Sequence, residues 1–115
     1  MDLQHYPSAI AEAAGALNEL DAQIKAVKDH IERIEINVEY EVAFDSQLKN
    51  DAQRKAKAKS LILSHPDYEA SQGQLDHLNR ERTSAVTYLE LLRNQFAVAK
   101  LTKREAIARM EVIVG

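Results

Sequence analysis

Cysteine is absent from this chain of 115 residues, and with it go disulfides, thiolate metal sites and cysteine nucleophiles. That absence fits a reducing compartment, so a cytoplasmic location is the expectation. Tryptophan is absent too, and aromatics make up only 5% of the residues, which speaks against a deep aromatic-lined pocket for a small-molecule substrate. Three glycines and two prolines leave few places to turn, which disfavours all-β and α/β folds with their many tight connections. No apolar run approaches the ~20 residues that cross a bilayer. The first residues, MDLQHYPSAI, have neither a basic n-region nor an apolar h-region, so no secretion signal and no membrane partner are expected. A net charge of −3 is too small for a nucleic-acid mimic or a strongly basic binder.

What remains is 45% apolar, mostly aliphatic, and 29% charged, the composition of solvated helices around a modest core. From Ser8 onward the apolar residues fall at Ile10, Ala13, Leu17, Leu20, Ile24, Val27, Ile31, Ile34 and Val38. The spacing alternates three and four, which is the a/d seam of a coiled coil. Pro7 or Ser8 suits the first turn of such a helix.

Residues 34–44, IEINVEYEVAF, also alternate apolar and polar as a half-buried strand does. They begin inside the helical repeat, with no glycine or proline to break it, and the short MEVIVG near the end is too little to make a sheet. Read as helix, the stretch has two apolar stripes. One continues the seam through Val42, and the other is Ile36, Tyr40, Phe44 and Leu48, spaced four apart. The expectation is one helix over about 8–63.

In SHPDY, the residue before Pro66 is pushed out of helical geometry, which predicts a turn at about 64–66 with Ser64 or His65 capping a second helix over about 66–98. Its heptads are Leu75, Leu78, Arg82, Ala85, Leu89, Leu92 and Phe96, with Tyr68 in register ahead of them. TKRE reads as a capping box from Thr102 to Glu105, predicting a short third helix over about 102–113. Acid-first pairs four apart, such as Asp29–Arg33 and Asp51–Lys55, suit the exposed faces.

These elements form a single all-α domain, 1–115: a long antiparallel helical hairpin, coiled-coil-like, with a short C-terminal helix. A tip at 64–66 places Leu89 by Tyr40, Ala85 by Phe44, and Phe96 by Arg33 and Ile34. Each helix of a hairpin buries one stripe against the other. The second stripe, Ile36, Tyr40, Phe44 and Leu48, then needs a second copy of the chain, most simply in a dimeric helical bundle.

Sites for chemistry are sparse. Glu32, Glu35 and Glu39 share a helix face and could hold a divalent cation, as in magnesium-dependent all-α nucleotide hydrolases. Those enzymes use two such clusters and the sequence has one, so a solvated acidic face is the plainer reading. His5, His30, His65 and His77 lack metal-ligand spacing, no serine has a nucleophile-elbow context, and no glycine-rich phosphate loop occurs. No catalytic residue, metal or cofactor is assigned. Residues 49–59, KNDAQRKAKAK, carry Lys49, Arg54, Lys55, Lys57 and Lys59 against one Asp, an alternative contact for nucleic-acid phosphates, though with no aromatic residue to stack bases.

The run VAFDSQLKNDAQRKAKAKSLI, followed by DYEASQGQLDHLNRERTSAVTYLELLRNQFAVAKL, resembles small helical proteins encoded by phages and integrated prophages. These share a VAF-type entry, a basic QRKA-type middle and a Leu-Arg-Asn-x-Phe exit. The likeness runs from Val42 to Leu101; it implies a small helical protein and carries over no activity and no catalytic residue. It also lends weight to the nucleic-acid accessory reading, because such proteins accompany DNA-metabolism genes. Taken together, the sequence predicts a non-enzymatic helical protein that self-associates and binds another protein, with nucleic-acid binding as the alternative.

Overall fold

The structure, a computed structural model, describes residues 1–114. A 3-10 turn over Leu3–His5 leads into α1 (Tyr6–Ala43), followed by α2 (Asp51–Ser64) and α3 (Tyr68–Val114). The described residues contain no strand, so 34–43 is helix and the alternation there is not a strand's. The residues divide into two compact units: one of 1–20 with 81–115, the other of 21–80.

The seam of α1 is the feature that organises both units. In the first, Ala13 is buried, with Ile10, Leu17 and Leu20 half-buried. In the second, Ile24, Val27, Ile31, Ile34, Val38 and Val42 are all buried. At a ~100° step per residue, three-and-four spacing keeps these side chains in one line, and that line is the inward one.

The single helix expected over 8–63 is not one helix: α1 stops at Ala43 and α2 begins at Asp51. The seam itself runs out there, because the next positions after Val42 are Asp45 and Lys49, which have nothing to bury. Local hydrogen bonds then hold the break. The Asp45 carboxylate accepts from the Gln47 amide at 2.9 Å. Asn50 caps α2, its side-chain oxygen accepting from the Gln53 amide at 2.9 Å, while the Gln53 side chain reaches back to the Lys49 amide at 2.6 Å. This is a capping box shifted by one residue, and it satisfies amides that a helix start otherwise leaves open.

In unit 21–80 the chain therefore reverses at 44–50, not at 64–66. α2 is 14 residues long, about 21 Å at ~1.5 Å per residue. Its far end lies beside the middle of α1, where His30 Nε2 is 3.9 Å from the Asp67 carboxylate. α2 thus runs back along residues 30–43 of α1, presenting the half-buried Arg54, Ala58, Leu61 and Ile62 inward. At Ser64 the expected stop is found, because His65 takes an extended ψ of 132° ahead of Pro66. Of the two expected caps, His65 is the one that acts, its ring accepting from the Asp67 amide at 3.1 Å just ahead of α3, whereas the Ser64 hydroxyl donates backward to Leu61 O. α3 starts two residues later than expected, with Ser71 and Leu78 buried in this unit.

In unit 1–20 with 81–115, α1 and α3 pack antiparallel. Buried Tyr6, Ala13, Leu89 and Leu92 form the core cluster, joined by Ala9, Ile10, Ala14, Leu17, Phe96 and Ala99. The Tyr6 and Phe96 rings stack at 5.5 Å. The expected pairings of Phe96 with Ile34, Leu89 with Tyr40 and Ala85 with Phe44 are therefore corrected, and by the same cause: the reversal comes some twenty residues earlier in the chain. Nor is there a separate helix over 102–113. α3 is continuous, and Thr102 donates its hydroxyl to Val98 O at 3.0 Å instead of capping a new start.

Candidate interaction surface

Two exposed features stand out in unit 21–80, the second stripe of α1 and the basic segment of 49–59. Ile36, Tyr40 and Phe44 are 52%, 68% and 74% exposed. The Tyr40 and Phe44 rings lie 4.8 Å apart, tilted by 46°. They reach each other because Ala43 ends the helix one residue before Phe44, leaving a four-residue spacing that still spans one turn. Leu48 does not join them. It lies in the 44–50 connection and is half-buried, so the stripe of the described chain is Ile36, Tyr40 and Phe44.

Lys49, Lys55, Lys57 and Lys59 are exposed and Arg54 is half-buried. Arg54 is the one that pairs within its own helix, with Asp51 at 3.3 Å. Lys49 sits ahead of α2; Lys55 and Lys59, four apart, share one side of that helix, while Lys57, two residues from each, lies on the other. Glu32 and Glu39 are exposed and Glu35 is half-buried. Among the described residues, no group of three or more His, Cys, Asp or Glu side chains comes together where a metal ion could be held. No helix is long and apolar enough to cross a membrane.

The expected Asp29–Arg33 carboxylate pair is replaced by another. Asp29 pairs with Lys25 at 3.0 Å, while Arg33 reaches the Asp29 carbonyl instead of its carboxylate. Both are exposed contacts of small energetic weight.

A further exposed apolar surface was not singled out from the sequence. Tyr88, Leu91, Val98 and Leu101 on α3 are 50–62% exposed, and every residue from 101 to 113 is exposed. Residues 102–113 were expected to form a separate short helix. A signal was available: the heptad of Leu89, Leu92, Phe96 and Ala99 continues unbroken through Lys103, Ala106, Met110 and Ile113, as one helix would. One depression in this unit, about 230 Å³, is lined by Ala9, Glu12, Ala13, Ala16, Ala85 and Tyr88.

No protein-family model matches the chain, and neither a curated protein nor a solved structure matches it.

Proposed function

We propose that the protein is a non-enzymatic helical interaction protein that self-associates and acts by binding a macromolecular partner. The observation that carries this reading is the exposure of Ile36, Tyr40 and Phe44 on an outward face of α1, opposite a seam that is already buried. Fully burying a large apolar side chain stabilises by about 1.5–3 kcal/mol, so three left in water form an adhesive patch. A second copy of the chain is the occupant always present at matching concentration, and a two-fold dimer is the simplest closed assembly. The resemblance of residues 42–101 to phage and prophage helical proteins agrees with a protein that works through its surface.

The test is the mass of the protein in solution. Light scattering at micromolar concentration is expected to give a dimer for the wild type and a monomer for Tyr40→Glu, which places a charge in the covered patch. A wild-type monomer across that range overturns the reading.

A further inference from the structure

Two rows of opposite charge lie side by side in unit 21–80, and they share a side. On α1, Glu32, Glu35 and Glu39 each come one residue after a buried seam residue, respectively Ile31, Ile34 and Val38. On α2, Lys55 and Lys59 each come one residue after an inward, half-buried one, respectively Arg54 and Ala58. One residue is a turn of ~100° about the helix axis. Because α2 runs antiparallel to α1, the same forward turn from the inward line brings both rows to the same side of the pair. That side therefore has carboxylates along one helix and ammonium groups along the other.

The levels match as well. The reversal joins Ala43 to Asp51, and the far end of α2 lies by His30, so Lys55 sits at the level of Glu39 and Lys59 at the level of Glu35. Among the described residues, none of these five side chains takes part in an ion pair within 4.0 Å. Ile36 and Leu63, 52% and 62% exposed, border the same side, and Ala52 and Ala56 add small exposed positions on α2.

We infer that this two-signed side is the contact through which a second copy of the chain docks, with the two-fold axis parallel to α1 and α2. The inference rests on the self-association proposed above and specifies its geometry. A two-fold axis in that direction lays α1 of one copy over α2 of the other. Glu39 then faces the partner's Lys55, Glu35 faces the partner's Lys59, and both pairs occur twice. The alternative two-fold, across the helices, lays α1 on α1 and sets carboxylate against carboxylate. Charge thus selects one docking direction, while Ile36, ~40° beyond Glu32 about the axis of α1, supplies apolar area at the rim, with Tyr40 and Phe44 further round and outside this contact. The same arrangement accounts for two features that are otherwise unrelated: an acidic row without a metal geometry and a basic helix without aromatic residues to stack bases.

Mixing two charge-reversed chains tests this. Glu35→Lys/Glu39→Lys sets lysine against lysine in both pairs, and Lys55→Glu/Lys59→Glu sets glutamate against glutamate. Sedimentation velocity is expected to show each variant alone at least tenfold weaker in self-association than the wild type, with helicity by circular dichroism unchanged. An equimolar mixture is expected to recover wild-type dimer as a heterodimer. Should a reversed chain lose helicity, the neutral Glu35→Gln/Glu39→Gln and Lys55→Gln/Lys59→Gln chains replace it, each expected to weaken the dimer and to lose the salt sensitivity of the wild type.

Variants that dimerise like the wild type overturn the two-signed contact, and Tyr40→Glu then reports separately on self-association. Weakened variants whose mixture stays monomeric also overturn it, because the charges then act within each chain. A wild type that is monomeric yet binds a DNA or RNA oligonucleotide through Lys55 and Lys59 overturns both readings and hands the lysines to nucleic acid.

Discussion

Tyr6, the first residue of α1, stacks on Phe96, deep in α3, with ring centroids 5.5 Å apart and planes 21° from parallel. Tyr6 is 7% exposed, and Lys100 covers the Phe96 ring, its ammonium nitrogen 4.4 Å from the centroid. The aromatic pair belongs to a core that is otherwise alanine and leucine with Ile10. Phe96→Ala removes the ring that covers Tyr6 and is expected to cost about 2–4 kcal/mol, read as a lower urea midpoint at unchanged slope. A loss below ~0.5 kcal/mol contradicts the stack.

Adjacent leucines give an internal contrast. Leu92 is 2% exposed and Leu91 is 50% exposed. Leu92→Ala is expected to destabilise by about 2–5 kcal/mol and Leu91→Ala by less than ~1 kcal/mol. Equal losses measured by thermal unfolding mean that α3 is rotated from the orientation described.

Gly15 and Gly73 lie within α1 and α3, and a Cβ added at either meets nothing within 4 Å. Neither has a positive φ. Each Gly→Ala change is therefore expected to stabilise by about 0.5–1 kcal/mol, through helix propensity and a less flexible unfolded chain. A fall in melting temperature at either site counts against an open helix surface there.

The reversal at 44–50 depends on short-range hydrogen bonds. Asn50→Ala removes the acceptor for the Gln53 amide and is expected to cost about 1 kcal/mol, with faster amide hydrogen exchange over the first turn of α2. Unchanged exchange at Gln53 means that the cap does not hold.

Thr102 separates two readings of the chain near Leu101. As the cap of a new helix, its loss costs about 1 kcal/mol; inside a continuous helix, where it only bonds Val98 O, Thr102→Ala is neutral or stabilising by a few tenths. The second outcome is expected.

Several of these features were legible in the sequence residue by residue. The stop ahead of Pro66 follows from the steric clash that a proline imposes on its predecessor, and the extended His65 shows it. The break after Ala43 was also written, in the polar Asp45 and Lys49 at seam positions and in the Asn50-x-x-Gln53 capping pattern. It is hard to read because no proline or glycine marks it. The chain's preference there is set by a few hydrogen bonds against a helix that could otherwise continue. Of the candidate surface, the stripe of Ile36, Tyr40 and Phe44 was legible, whereas Leu48 belonged to it only if the helix ran on.

The sequence by itself determined that this chain is helical and which line of α1 is turned inward, because three-and-four spacing is a local property that any partner must accept. Every residue of that line from Ile10 to Val42 is buried or half-buried. Only the tertiary structure decided where the chain doubles back and which turn of α3 meets which turn of α1. Successive heptads are interchangeable in spacing, so sliding one helix along the other by a heptad preserves the pattern. What selects among the slides is the length of the connection and the fit of particular side chains, here Phe96 against Tyr6 and not against Ile34.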